Sequence, residues 1–280
     1  MRYTIQNESL IVEVDSLGAE LRVLRAQADG HDYLWSGDPA VWGRVSPLLF
    51  PFVGGVKDGA YTYQGKTYKM GKHGFVRQKE FTVTEEASSA LTLTVTDTPE
   101  TLACFPFPFR LDVRFSLAGK CLTAAHTVTN TGNASLYFSL GAHPGLACEV
   151  KDALRFDKAE NLDAYRLDND LLGRTEPFLR GEQVWRIQAD SFLEDAQILE
   201  NPASGGIVLE RQAGRNVRFT FNTPYLGIWA KPGAPYVCLE PWFGVDDTPE
   251  HDGELTRKRG VQHLPPGEAL TLLYTIETLS

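Results

Sequence analysis

An all-β fold, a β-sandwich of large antiparallel sheets, is predicted by three observations. Apolar and polar residues alternate at a period of two, turn signals separate the alternating runs, and helical periodicity is scarce. In chain order, "LTLTVTD" at 91–97 sets Leu91, Leu93 and Val95 against threonines, and "LDVRFSL" at 111–117 does the same with Leu111, Val113, Phe115 and Leu117. His126 then alternates with Leu122, Ala124 and Val128 and reads as a hydrogen-bonded strand histidine. "SLYFSLGAHPG" at 135–145 puts Leu136, Phe138, Leu140 and Ala142 on one face, with Ser139, Gly141 and His143 on the other. "VRFTF" at 217–221 and "LTLLYTI" at 270–276 continue the pattern towards the C-terminus. Breaks fall at Asp58-Gly59, at 130–133, at 203–206 and at Pro265-Pro266-Gly267. "DSFLEDAQ" at 190–197 is the best short helix candidate.

No linker, repeat or charge block divides the 280 residues, so one domain over 1–280 is expected. With 42% hydrophobic residues the chain can bury a substantial core. Thirty-six acids against 27 bases leave a net charge of −9, which argues against nucleic acid and anionic membrane as partners. The densest basic run, "TRKRG" at 256–260, reads as a solvated turn. An N-terminus without a signal-peptide core, and no apolar run of membrane-spanning length, predict a cytoplasmic protein. Cys104, Cys121, Cys148 and Cys238 form no C-x-x-C pair and read as buried thiols, so no zinc or redox motif is indicated.

Three segments can carry chemistry. His143 ends an apolar strand beside Pro144, among small neighbours that leave its ring room. "MGKHGFVR" at 70–77 sets His73 between Gly71 and Gly74, which suits a binding loop or an ordinary hairpin loop equally. In "PYVCLEPWFG" at 235–244, Tyr236, Cys238 and Glu240 share one face, and Glu240 precedes Pro241 as His143 precedes Pro144. Apolar surroundings would raise the pKa of Glu240, in the direction useful for acid/base work; a solvated glutamate at a strand end is the plainer alternative. Two histidines and Glu240 formally make a metal site, but no ligand pair has local spacing and no metal is assigned. Phosphate-loop, dinucleotide, serine-elbow and H-E-x-x-H motifs are absent.

Together, "WGRVSPLLFPFVGGVKDGAY", "KHGFVR", "FPFPFRL", "GAHPGL", "DAQIL" and "YLGIWAKPGAPYVCLEPWFG" resemble the aldose 1-epimerase family, in the bacterial branch related to the mutarotase-like protein of lactose operons. The resemblance implies a galactose-mutarotase-like supersandwich, a monosaccharide ligand, no cofactor, and a monomer or homodimer. It assigns Glu240 as general base, His143 as general acid, His73 as a substrate-binding histidine, and Asp195 as a binder of sugar hydroxyls. Arg77 resembles a binding arginine of the branch acting on hexose phosphates. Many relatives carry an arginine where this chain has Gly55, and Arg44, Lys57 or Arg77 are candidates to replace it. Among nearby aromatics Phe75 and Trp242 are favoured to stack on the sugar, ahead of Trp42, Tyr225 and Trp229. Glu240 ionised and His143 protonated would open the ring, the carboxylate raising the histidine's pKa by about one unit. A non-catalytic sugar-binding protein and a hexose 6-phosphate mutarotase are the competing readings.

Overall fold

Fifteen strands of the computed structural model, which describes residues 1–279, join in one sheet. It runs from Leu48–Leu49 through Leu140–Ala142, Tyr236–Phe243, Tyr225–Trp229, Gln197–Glu200 and Ala153–Asp168, then on to Ala269–Thr278, Cys121–Asn130 and Phe109–Ala118. A three-stranded sheet, Arg2–Gln6, Leu10–Asp15 and Glu20–Ala26, accompanies it, with a small hairpin of Ala60–Tyr63 and Lys66–Lys69 and a long-range pair of Leu136–Phe138 with Gln262–Leu264. Every strand pair is antiparallel, as the period-two pattern predicts. Cys121–Asn130 buries every second residue, so one face meets the core and the other meets solvent.

Tyr236–Phe243 differs: seven of its eight residues are buried, because layers cover both of its faces. A charged residue on such a strand is tolerated only beside a partner or a cavity, and Glu240 sits there. Two short strands flank this one on the same side. Gly141 pairs with Trp242 and Gly145 with Cys238, and that register, carried through His143-Pro144, sets His143 directly opposite Glu240. The Leu239 N–H donates to the Pro144 carbonyl at 3.2 Å and keeps the strands in step across the proline.

The structure corrects three local expectations. Residues 190–194 form successive turns instead of a helix, Asp195 adopts a left-handed φ of 69°, and Gln197 already opens the strand Gln197–Glu200. The α-helix lies at Pro99–Cys104, where Thr98 and Thr101 cap each other reciprocally and Pro99 starts the first turn. "TRKRG" is only partly solvated: Lys258 is buried and pairs with buried Asp247 at 2.6 Å, and Arg259 meets Glu200 at 2.6 Å. Among the described residues, no helix is long and apolar enough to cross a membrane.

Candidate active site

One cavity of about 400 Å³ opens beside the buried strand, and His143, Glu240, His73, Arg77, Arg44 and Asp195 all line it. Directly opposed side chains of an antiparallel pair point to the same face, their Cβ atoms about 4.5–5.5 Å apart. His143 and Glu240 meet that condition, with Nε2 of the ring 3.1 Å from Oε2 of the carboxyl. This is an ion-pair distance without hydrogen-bond alignment, since Glu240 Oε2 has no hydrogen-bond partner; His143 Nδ1, the other ring nitrogen, has none either. Trp42 lies against the His143 ring at 5.1 Å between centroids, and Trp229 meets it edge-on at 5.7 Å.

Burial decides the electrostatics. It lowers the His143 pKa to about 3, against a small pull from its own backbone, and the Arg77 and Lys72 charges push the same way. Burial also drives Glu240 well above the carboxylate range; Lys72 opposes this, while Asp195 and Asp246 add to it. The rise at Glu240 matches the reading of its apolar strand. The expected rise at His143 does not occur, because desolvation of the imidazolium outweighs any attraction to the carboxyl.

His73 is fixed by a two-way clamp. Its N–H donates to the Gly54 carbonyl and its Nδ1 accepts the Gly54 N–H, both at 3.0 Å. The accepting Nδ1 leaves the proton of the neutral ring on Nε2. Burial lowers its pKa well below the usual value, helped by His143, Lys72 and Arg77. The residue takes a left-handed φ of 66°, uncommon for a non-glycine side chain. Gly74 follows at φ 68°, and a Cβ there would fall 2.3 Å from the Phe50 carbonyl oxygen, so this glycine is required for the loop to close.

The remaining candidates divide. Asp195 faces the cavity and accepts the Ala196 N–H at 2.8 Å. Arg44 is paired with Glu20 at 3.1 Å, whereas Arg77 donates to the Lys72 carbonyl and, among the described residues, has no carboxylate within ion-pair distance. Trp242 lies in the wall, its ring filling space left by Gly141 and Gly227. Phe75 is a correction: it turns away from the cavity and packs on Phe50, Phe105 and Phe109. Tyr225 hydrogen-bonds Glu200 and leaves the wall to Trp42 and Trp229. Lys57 is the second correction, since its Nζ donates to the Pro249 and His251 carbonyls at 2.5 and 3.0 Å instead of reaching the cavity.

Gly55 now has a steric explanation. A Cβ at this position would fall 2.0 Å from the Asp170 carbonyl oxygen, so the tip of the hairpin between Ala153–Asp168 and Leu171–Arg186 excludes any side chain there. Asp170 also pairs with Lys72 at 2.5 Å, which brings a cation into the wall. Asp246 is a lining residue that motif reasoning does not single out. The metal arrangement of both histidines with Glu240 is not the one formed: the ligand atoms that cluster, within 4.8 Å, belong to His143, Cys238 and Glu240, while His73 is occupied by Gly54.

Comparisons with known proteins point to one family. A family model described as aldose 1-epimerase matches residues 1–242. A Lactococcus lactis subsp. lactis protein, LacX (chromosomal), is 30% identical over 302 aligned positions that cover both chains completely. A galactose mutarotase related enzyme from Lactobacillus acidophilus superposes with a TM-score of 0.94 at 30% identity, covering 100% of this chain and 98% of its own. A galactose mutarotase-like protein from Lactobacillus casei gives 0.95 at 28% identity, with both chains fully covered. The fold is therefore the galactose-mutarotase-like supersandwich, and the chain belongs to the aldose 1-epimerase family.

Proposed function

We propose that the protein is an aldose 1-epimerase that interconverts the α and β anomers of a hexose by general acid/base ring opening, working as one domain over residues 1–280. The observation that carries this reading is a buried histidine and glutamate directly opposed across two strands, 3.1 Å apart, at the wall of a sugar-sized cavity. Glu240 takes the proton of the anomeric hydroxyl while His143 gives one to the ring oxygen. The C1–O bond of the ring then breaks as the aldehyde forms. Rotation about C1–C2 and reversal of the two transfers close the other anomer, so the pair regenerates itself without a cofactor.

The resting charges are compatible with this scheme. A neutral carboxylic acid beside a neutral imidazole holds as many protons as a carboxylate beside an imidazolium. Moving one proton from the carboxyl to the imidazole, relayed by a hydroxyl of the bound ring, thus makes the working pair, and the ring's hydroxyls supply hydrogen bonds that the buried ions lack. His73, with its proton on Nε2, serves as a donor to the sugar. Asp195 serves as an acceptor, and Trp42, Trp229 and Trp242 supply apolar faces.

A second reading has its own support. Arg77 borders the cavity without a carboxylate partner among the described residues, which suits a phosphate on the hexose. Polarimetry on freshly dissolved α-glucose, α-galactose and glucose 6-phosphate tests both. Faster relaxation than buffer alone is expected for a hexose, and an advantage for the phosphorylated sugar selects the second reading. Sugar binding by calorimetry without any acceleration identifies a binding protein and overturns the enzymatic proposal.

A further inference from the structure

Asp246 follows the catalytic strand, is 1% exposed, and lines the same cavity as His143 and Glu240. Its Oδ1 accepts the Gly55 N–H at 2.6 Å, but Oδ2 has no hydrogen-bond partner. A buried carboxylate oxygen left bare is costly, and one on a residue that lines a cavity is placed for a ligand to complete it. The neighbouring turn is shaped around this carboxyl. A Cβ on Gly54 would fall 2.1 Å from Asp246 Cγ, so a glycine there is what lets the acid approach the backbone. The same glycine's N–H holds His73 Nδ1. Burial raises the Asp246 pKa, and the Gly55 N–H, Lys72 and Lys258 oppose that rise; Lys72 is tied to Asp170 and Lys258 is committed to Asp247.

We propose that Asp246 Oδ2 accepts a hydrogen bond from a sugar hydroxyl other than the anomeric one. With Lys72 as the adjoining donor it forms a subsite that selects a neutral carbinol. The inference rests on the sugar reading given above and deepens it. A bare carboxylate oxygen needs a donor. A hydroxyl provides one, whereas an ionised phosphate or carboxylate does not and is repelled by Asp246 and Asp195 together. Any anionic substituent on the substrate therefore has to point towards Arg77.

The test pairs one substitution with single-atom changes in the substrate. Asp246→Asn keeps the side-chain volume and the acceptor for Gly55, and Asp246→Ala serves if the amide does not fold. Wild type and variant are compared by kcat/KM on glucose and its 2-, 3-, 4- and 6-deoxy analogues. The wild type should lose on the order of tenfold or more on one analogue, and the variant a similar factor on glucose, with no further loss on that analogue. A variant penalty equal for every sugar, or a wild type indifferent to all deoxy changes, overturns the inference. A wild type that turns over no sugar defeats the epimerase reading instead. The same panel is then read as calorimetric affinities, where the one-analogue pattern still supports the subsite and absence of any binding overturns it.

Discussion

The two sides of the cavity are built by different physics. His143 and Glu240 stand on paired strands, so the sheet register alone sets their separation. His73, Lys72 and Asp195 stand on loops, and each is held by a specific local bond: the Gly54 clamp, the Asp170 ion pair and the Ala196 N–H. A register cannot shift by one residue without turning every side chain to the opposite face, so the sheet side is rigid. A loop residue can be retuned by one substitution. Chemistry belongs on the first kind of support and substrate choice on the second, and variants on the two sides should fail differently.

The largest effect is expected on the sheet side. His143→Asn and Glu240→Gln should each lower kcat by ~10²–10⁴ while circular dichroism remains that of the wild type. A loss that appears mainly in KM would place these groups in binding and erase the contrast.

Acid stability probes the sheet away from the cavity. His126 is buried with Nδ1 unpartnered, not the satisfied strand residue its alternation suggested, and burial alone lowers its pKa to about 3. Because the folded value lies below the ordinary 6.5, the unfolded chain binds the extra proton first, and stability falls as pH drops from 6.5 towards 3. Glu240, raised by burial, contributes in the opposite sense, so its stabilising share is lost as pH rises. Between pH 7 and 4.5 His126 should account for roughly 2–3 kcal/mol of lost stability. Urea midpoints at the two pH values for wild type and His126→Leu measure this share, and an unchanged difference in the variant would refute it.

On the loop side, His73→Asn removes one neutral hydrogen bond and should raise KM about fivefold with kcat nearly retained. Initial-rate polarimetry distinguishes this from a fall in kcat, which would move His73 into the chemistry. Smallest is Lys57→Met, which severs two contacts to backbone carbonyls outside the cavity. About 1 kcal/mol of stability should be lost, by urea melts, with kcat/KM unchanged.

How much of this was legible in the sequence follows the same division. Period-two alternation is produced by the sheets themselves, so the fold class and the faces of Glu240 and His143 can be read directly. Loop geometry leaves no periodic trace. Nothing in "GVDDTPE" distinguishes cavity-lining Asp246 from Asp247, which pairs with Lys258, because the choice depends on a turn nearly two hundred positions earlier. Phe75 lies two positions from His73 in the chain but joins the phenylalanine cluster, whereas Trp42, about a hundred positions before His143, lies against its ring. Adjacency in sequence placed Trp242, which shares a strand with Glu240, in the wall and failed for Phe75, because loop neighbours diverge in space. The sense of the His143 shift was also hidden, since burial by distant tryptophans outweighs the one charge that the strand pattern reveals.

The central claim is that His143 and Glu240 act as one unit on a single sugar. A double-mutant cycle measures this directly, comparing wild type, His143→Asn, Glu240→Gln and the combined variant by polarimetry on one hexose. The account predicts a combined variant no slower than the worse single variant, because removing either partner already disables the exchange. Losses that multiply, or single variants that keep near wild-type rates, would contradict it.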